Sequence, residues 1–88
     1  MTNINETLTQ RGTTHGNFLS NSAISQGIKE CMIPIQDLKC YQKEALDMIA
    51  HKIARICAGN PNEPDHWHDI AGYATLVYRE LVKNESVD

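Results

Sequence analysis

Apolar residues recur at helical spacing in three stretches of the chain, and nowhere do polar and apolar residues alternate as in a half-buried strand. The three stretches are residues 17–32, 38–58 and 64–83. In the first of them, Ile24, Ile28 and Met32 follow one another every four residues. The pattern predicts an all-α fold, a small bundle of three helices, or of four if a short extra turn is present.

Helix-breaking and capping residues mark the predicted ends of these helices. Pro34 follows the first helix, and proline cannot continue a helix. Asp37 is a candidate N-cap for the second helix, and Gly59 stands where a left-handed glycine commonly follows the last turn. The segment GNPNEP then predicts a turn, and Pro64 suits the first turn of the third helix.

The two ends of the chain and the segment RGTTHGN lack helical periodicity. Residues 1–10 and 84–88 are mostly polar, and we predict that they form flexible segments on either side of a helical domain of residues 11–83. Residues 11–17 contain two glycines and two threonines, which predicts an ordered loop. Asn17 is a candidate N-cap for the helix that follows this loop.

The predicted second and third helices each carry a broad apolar face. On the second helix this face consists of Ala45, Leu46, Ile49, Ala50, Ile53, Ile56 and Cys57. On the third helix it consists of Trp67, Ile70, Ala71, Ala74, Val77, Tyr78 and Leu81. We predict that the two faces pack against each other as the core. Since so short a chain buries only about 60% of its unfolded surface, we also predict a homodimer or a higher homo-oligomer.

Composition argues against two classes of partner. The net charge of −3 does not supply the basic surface that duplex nucleic acid requires. No apolar run approaches the roughly 20 residues that cross a bilayer, and the N-terminus lacks the pattern of a signal peptide. The three cysteines, Cys31, Cys40 and Cys57, cannot all pair within one chain. We predict that they are buried or half-buried thiols in a cytoplasmic protein.

Both helices also carry polar residues at spacings of three and four. The row on the second helix is Glu44, Asp47, His51 and Arg55, and the row on the third is Asp65, His68, Asp69 and Gly72. In one interpretation both rows simply face water. In the other they converge, within one chain or across a dimer, on a site where carboxylates hold Mg²⁺ and basic groups hold phosphate, because two or three carboxylates suffice for Mg²⁺.

Two smaller motifs also have chemical interpretations. Arg11 and the amides around Gly12 and Gly16 could hold a phosphate at the start of the following helix, or the segment could only begin that helix. His66 and His68 look like a transition-metal pair. Residues two apart on a helix point to opposite sides, however, which argues against a shared zinc ion.

Three segments, RGTTHGNF, EALDMIAHKIARI and HWHDIAGYATLV, resemble in this order a family of small phage and prophage proteins of unknown function. That family is similar to the nucleotide-modification-associated and MazG-like group of all-α nucleotide pyrophosphatases. The resemblance covers residues 8–82. Its most specific part is the KIARI helix followed, across a short polar loop, by the DIAGYA helix. Relatives usually have YGD where this chain has HGN.

The resemblance implies a self-associating bundle that binds a nucleoside triphosphate together with Mg²⁺ held by acidic residues. Lys52, Arg55 and Asp69 match the family pattern. The EExxE motif of the MazG-like enzymes is reduced here to Glu44 and Asp47, and no second acid follows Asp69 at the expected spacing.

Together these observations predict a phage accessory protein that binds a nucleotide or small phosphate ligand with Mg²⁺. The predicted metal ligands are Glu44, Asp47, Asp65 and Asp69. If the protein hydrolyses its ligand, Asp69 with Glu44 or Asp47 orients the attacking water. The predicted ligand-binding residues are Arg11, His15, His51, Lys52 and Arg55. The alternative is a non-catalytic phage protein that binds a host protein or sequesters a signalling nucleotide, which the reduced acidic motifs suit equally well.

Overall fold

Four helices account for most of the chain. The computed structural model describes residues 4–85, which form α1 (Ile4–His15), α2 (Phe18–Cys31), α3 (Cys40–Ala58) and α4 (Pro64–Glu85). No strand occurs within these residues, so the all-α prediction is confirmed, and α2, α3 and α4 are the three predicted helices. Residues 1–3 and 86–88, which belong to the predicted flexible ends, lie outside the described residues.

Helix α1 is the element that the apolar pattern did not predict. Because residues 4–15 are helical, the prediction of a loop over residues 11–15 is wrong, whereas the flexibility of residues 1–10 stays a prediction. No residue of α1 is buried, so an apolar stripe could not mark it. Two threonines fit the helix because their hydroxyls donate to the preceding turn, Thr9 to the carbonyl of Asn5 at 2.9 Å and Thr13 to that of Gln10 at 2.7 Å.

The helix ends follow capping chemistry, in part at other residues than predicted. Asn17 caps α2 as expected, and its Oδ1 accepts from the backbone N–H of Leu19 at 2.8 Å. Helix α3 begins after Lys39, whose N–H donates to the side chain of Gln42, so the prediction of Asp37 as N-cap is wrong. Gly59 does follow α3, but its φ of −119° is not left-handed.

Helix α3 is the centre of the fold, because α2 and α4 both pack along it and the end of α1 contacts it. The buried apolar residues in the described chain are three alanines of α3, Ala45, Ala50 and Ala54. Buried polar residues are Ser25, Lys52 and His66. No large side chain among the described residues is fully buried. The helices therefore approach closely through small residues, and the apolar core of a single chain is small.

The predicted apolar faces are only partly covered. Ala45 and Ala50 are buried, as predicted, and Ile49, Ile56, Ile70 and Val77 are half-buried. The prediction is wrong in the single chain for the exposed residues Leu46, Ile53, Cys57, Trp67, Ala71, Ala74, Tyr78 and Leu81. The reason is geometric: the apolar face of α3 and that of α4 are each wider than the strip that their neighbours cover. The cysteines were expected to be at least half-buried, but all three are exposed and free.

A close backbone crossing fixes the junction of α1 and α2 against the end of α3. Gly16, with φ of +84°, lies so near α3 that a Cβ there would overlap the carbonyl oxygen of Ala58. A Cβ on Gly59 would overlap the carbonyl oxygen of Thr14. The backbone N–H of Asn60 donates to the same Thr14 oxygen at 3.0 Å. This crossing places the C-terminal end of α1 beside α3 and the start of α4.

Among residues 4–85, no helix combines the length and the apolar character that spanning a bilayer demands.

Candidate functional site

The backbone crossing leaves a cleft of about 780 Å³ between α1, α2 and α3. Its walls include Arg11 and His15 from α1, Phe18, Asn21 and Gln26 from α2, and His51 and Arg55 from α3. Ligand sites in proteins commonly enclose about 300–1,000 Å³, so the cleft is large enough for a small molecule. Four of the five predicted ligand-binding residues thus line one cleft, although they come from two helices that are distant in sequence.

Several basic side chains are concentrated around His15. Burial lowers the pKa of His15, and electrostatic interactions with Arg55, His66, Lys52 and Arg11 lower it further. Among the described side chains, those of residues 4–83, no carboxylate forms an ion pair with Arg11 or Arg55. The two guanidinium groups are therefore available to an anionic ligand, which would relieve the repulsion among the cations.

His51 is held between two side chains of α2. Its Nε2 lies 3.0 Å from Nζ of Lys29, and its Nδ1 lies 3.4 Å from Oγ of Ser25. Because an ammonium group can only donate, Nε2 of His51 is the acceptor and its proton is on Nδ1. Burial lowers the pKa of His51, and Lys29 and Arg55 lower it further, whereas Asp47 raises it. The structure therefore stabilises the neutral form of His51, with its proton on Nδ1.

We predict that these two histidines make the fold less stable in acid. Their pKa values are lower in the folded chain than the ordinary 6.5, so the unfolded chain binds more protons as the pH falls through 6.5. Stability is thus highest above that pH and declines below it. The melting temperature should fall between about pH 7.5 and about pH 5.5 in circular-dichroism melts. Changing both His15 and His51 to Gln should flatten this slope, and an unchanged slope would contradict the assignment.

His66 links the start of α4 to the end of α1. Its side chain is buried, and its Nε2 donates to the carbonyl oxygen of Thr14 at 3.0 Å. Its ring lies 5.5 Å from that of His15, measured between centroids. The side chain of His68, two residues later, is 86% exposed, as expected for opposite sides of a helix. Sequence reasoning considered His66 only as a metal ligand and missed its structural role, which no local motif reveals.

Lys52 of α3 and Asp69 of α4 form an ion pair. Nζ of the buried Lys52 lies 2.9 Å from Oδ2 of Asp69, which is only half-buried. The hydrogen bond from Lys52 holds the pKa of Asp69 below its usual value, helped by the charge of Lys52 and by His68, while desolvation opposes this. Lys52 does not line the cleft, and its ammonium group acts there only through its field. The pair is satisfied within one chain and joins α3 to α4.

The predicted metal ligands are not brought together in a single chain. In the part of the chain whose side chains are described, residues 4–83, no group of three or more His, Cys, Asp and Glu side chains is arranged to hold a metal ion. Glu44 and Asp65 are exposed, Asp69 bonds to Lys52, and Asp47 borders a separate cleft with Lys29 and Lys43. No three of the four predicted ligands therefore share a site within one chain, and the binding of Mg²⁺ stays a prediction. Catalysis through Asp69 with Glu44 or Asp47 stays a prediction.

Comparisons with protein families, with curated proteins and with solved structures give no match for this chain. The resemblance to the phage and MazG-like proteins accordingly stays a prediction, and the case for function depends on the geometry of the cleft.

Proposed function

We propose that the protein binds a nucleotide, or a closely similar phosphate-bearing small molecule, in the cleft between α1, α2 and α3. The observation that carries the proposal is the pair of guanidinium groups of Arg11 and Arg55, which lack acidic partners among the side chains of residues 4–83 and line a ligand-sized cleft beside His15. Planar guanidinium groups match the oxygens of phosphate and bind them through paired hydrogen bonds.

The arginines contribute more to this binding than the start of α2 does. The dipole of a helix is worth about 0.3–1 kcal/mol to an anion at its N-terminus. Moreover, Asn17 already accepts the N–H groups of Leu19 and Ser20, so these two donors are taken. A hydrogen bond to a charged group is worth about 1.5–3 kcal/mol. Phosphate affinity is therefore expected to depend chiefly on the side chains of α1 and α3.

Apolar residues in the lining of the cleft suit a nucleobase. Phe18 is 80% exposed and Leu8 is 57% exposed, although both are apolar, and both line the cleft. An aromatic ring in such a position can stack on a base, which contributes about 1–3 kcal/mol. The side-chain amides of Asn21 and Gln26 lie along the same cleft and can hydrogen-bond to ribose or base edges. Cationic and apolar side chains in the same cleft together favour a nucleotide over a simple anion.

Binding without turnover is the activity that a single chain supports best. Phosphoryl hydrolysis in the MazG-like manner needs carboxylates that hold Mg²⁺ beside the phosphates, and no three Asp, Glu, His or Cys side chains among those described lie together as metal ligands. A small protein that captures a nucleotide without consuming it is a sequestering protein. This proposal corresponds to the non-catalytic alternative, which the reduced acidic motifs suit as well as they suit the hydrolase.

A nucleotide panel tests the proposal directly. Nucleoside mono-, di- and triphosphates, the matching nucleosides and pyrophosphate are titrated into the protein by calorimetry, with and without Mg²⁺, and the mixtures are then separated by chromatography. We expect stoichiometric binding of at least one nucleotide, weaker binding of its nucleoside and of pyrophosphate, and no product. If nothing in the panel binds or raises the melting temperature, the proposal fails. A product formed only with Mg²⁺ would instead support the hydrolase.

A further inference from the structure

Helix α4 carries an exposed apolar seam at regular spacing. Trp67, Ala71, Ala74, Tyr78 and Leu81 follow one another at intervals of four, three, four and three residues. This is the heptad spacing that lines up one side of a helix and lets two helices pack closely. All five residues are exposed, with Trp67 at 55% and Tyr78 at 65%. The residues of α4 that face the rest of the chain, among them His66 and Tyr73, lie roughly a third of a turn away.

The exposed apolar residues of α3 extend the seam into a wider face. On α3, Leu46 and Ile53 lie about 100° around the helix axis from the side that meets α4. On α4, the seam lies about as far around the axis, in the same sense, from the side that meets α3. The two helices are joined by a five-residue turn and pack as an antiparallel hairpin. In such a hairpin, equal rotations bring both stripes to the same side. We call this surface the α3–α4 face.

The exposed area of the chain is larger than that of a compact monomer. A folded chain of this mass is expected to expose about 5,200 Å², whereas this one exposes 6838 Å². Its radius of gyration is 15.8 Å, against about 12 Å for a compact domain of this length. Two chains that each covered an excess of about 1,600 Å² would bury an area typical of obligate homodimers.

We propose that a second copy of this chain covers the α3–α4 face, so that two hairpins form a four-helix bundle with their α4 helices antiparallel across a two-fold axis. The order of side-chain sizes along the seam favours this direction. With Ala74 on the axis, Ala71 of one chain lies opposite Tyr78 of the other, and Trp67 lies opposite Leu81. Large residues then face small ones near the centre. In a parallel pair Tyr78 would face Tyr78.

Hydrodynamic mass tests the pairing. Analytical ultracentrifugation of the full chain should give twice the single-chain mass of 9.9 kDa at micromolar concentration. Tyr78→Lys places a charge in the seam and should shift the mass toward one chain. Leu76→Lys is the matched control, because Leu76 is 59% exposed on the opposite side of α4, and it should leave the mass unchanged. A helical single-chain species for the unmodified protein, or an equal effect of both variants, would overturn the proposal.

Cross-linking keeps the test decisive if Tyr78→Lys fails to fold. In a background with Cys31, Cys40 and Cys57 changed to Ser, Ala74→Cys should form a disulfide-linked dimer on mild oxidation, and Leu76→Cys should not. A mixture of Trp67→Cys and Leu81→Cys chains should cross-link much more than either alone if the helices are antiparallel. Cross-linking of Trp67→Cys alone would overturn the antiparallel direction, and no cross-linking of Ala74→Cys would overturn the seam.

Discussion

Replacing Arg55 by alanine is expected to weaken nucleotide binding about 10- to 100-fold, which corresponds to the loss of one charge-assisted hydrogen-bonding group. Arg55 is half-buried on α3, the helix that is packed on both sides, so its guanidinium is held in place before the ligand arrives. Among the charged groups that lower the pKa of His15, Arg55 is the strongest. Isothermal titration of the best ligand from the nucleotide panel provides the measurement.

Two companion variants show whether this effect comes from the cleft. Arg55→Lys keeps the charge but loses the paired hydrogen bonds, so it should restore only part of the affinity. Arg79→Ala removes an arginine from an exposed position on α4 that does not line the cleft, and it should leave affinity unchanged. If Arg55→Ala binds as tightly as the parent, or if Arg79→Ala is equally weakened, the cleft is not the site.

Arg11 should contribute less than Arg55, for a structural reason. It is exposed and belongs to α1, a helix with no buried residue, so more freedom is lost when a ligand orders it. The asymmetry also explains why α3 provides the reliable part of the site. Lys29 and Ser25 of α2 hold His51 in its neutral form. His51 therefore contributes a polar but uncharged group to the lining of the cleft.

Periodicity in the sequence was sufficient for the three packed helices because each has one side that contacts another helix. It located α2, α3 and α4, the turn before Pro64 and the cap at Asn17. Helical spacing also selected His51 and Arg55, and the charged and polar side chains of the segment RGTTHGN suggested Arg11 and His15; the structure brings all four to one cleft. These predictions depended on residue spacing and on charge type, which are local properties.

The same reasoning failed where the outcome depended on how the helices are rotated against one another. Lys52 was expected to be free for phosphate, but α3 turns it inward to Asp69. Leu46 and Ile53 were expected in the core, but in one chain they remain exposed. Apolar pattern reports which side of a helix avoids water, and it does not report whether the same chain or a second chain provides the cover. A second chain on the α3–α4 face would cover Leu46 and Ile53, in agreement with the apolar pattern.

Changing Gly16 to alanine is expected to be the most destabilising of the small substitutions. Its φ of +84° is costly for any residue with a side chain, and the added Cβ would overlap the carbonyl oxygen of Ala58, a backbone atom that cannot move aside alone. We expect a loss of more than about 2 kcal/mol, which lowers the melting temperature by about 10 °C or more in a domain of this size. Thermal melts followed by circular dichroism measure it.

Gly27→Ala is the matched control, because Gly27 lies inside α2 with open space around its Cα. Alanine there should stabilise the helix by about 0.5–1 kcal/mol. Since the crossing of Gly16 and Gly59 also positions α1 over α3, Gly16→Ala should weaken nucleotide binding even at temperatures where the chain stays helical, whereas Gly27→Ala should not. A Gly16→Ala protein that melts and binds like the parent would show that the crossing does not hold the cleft together.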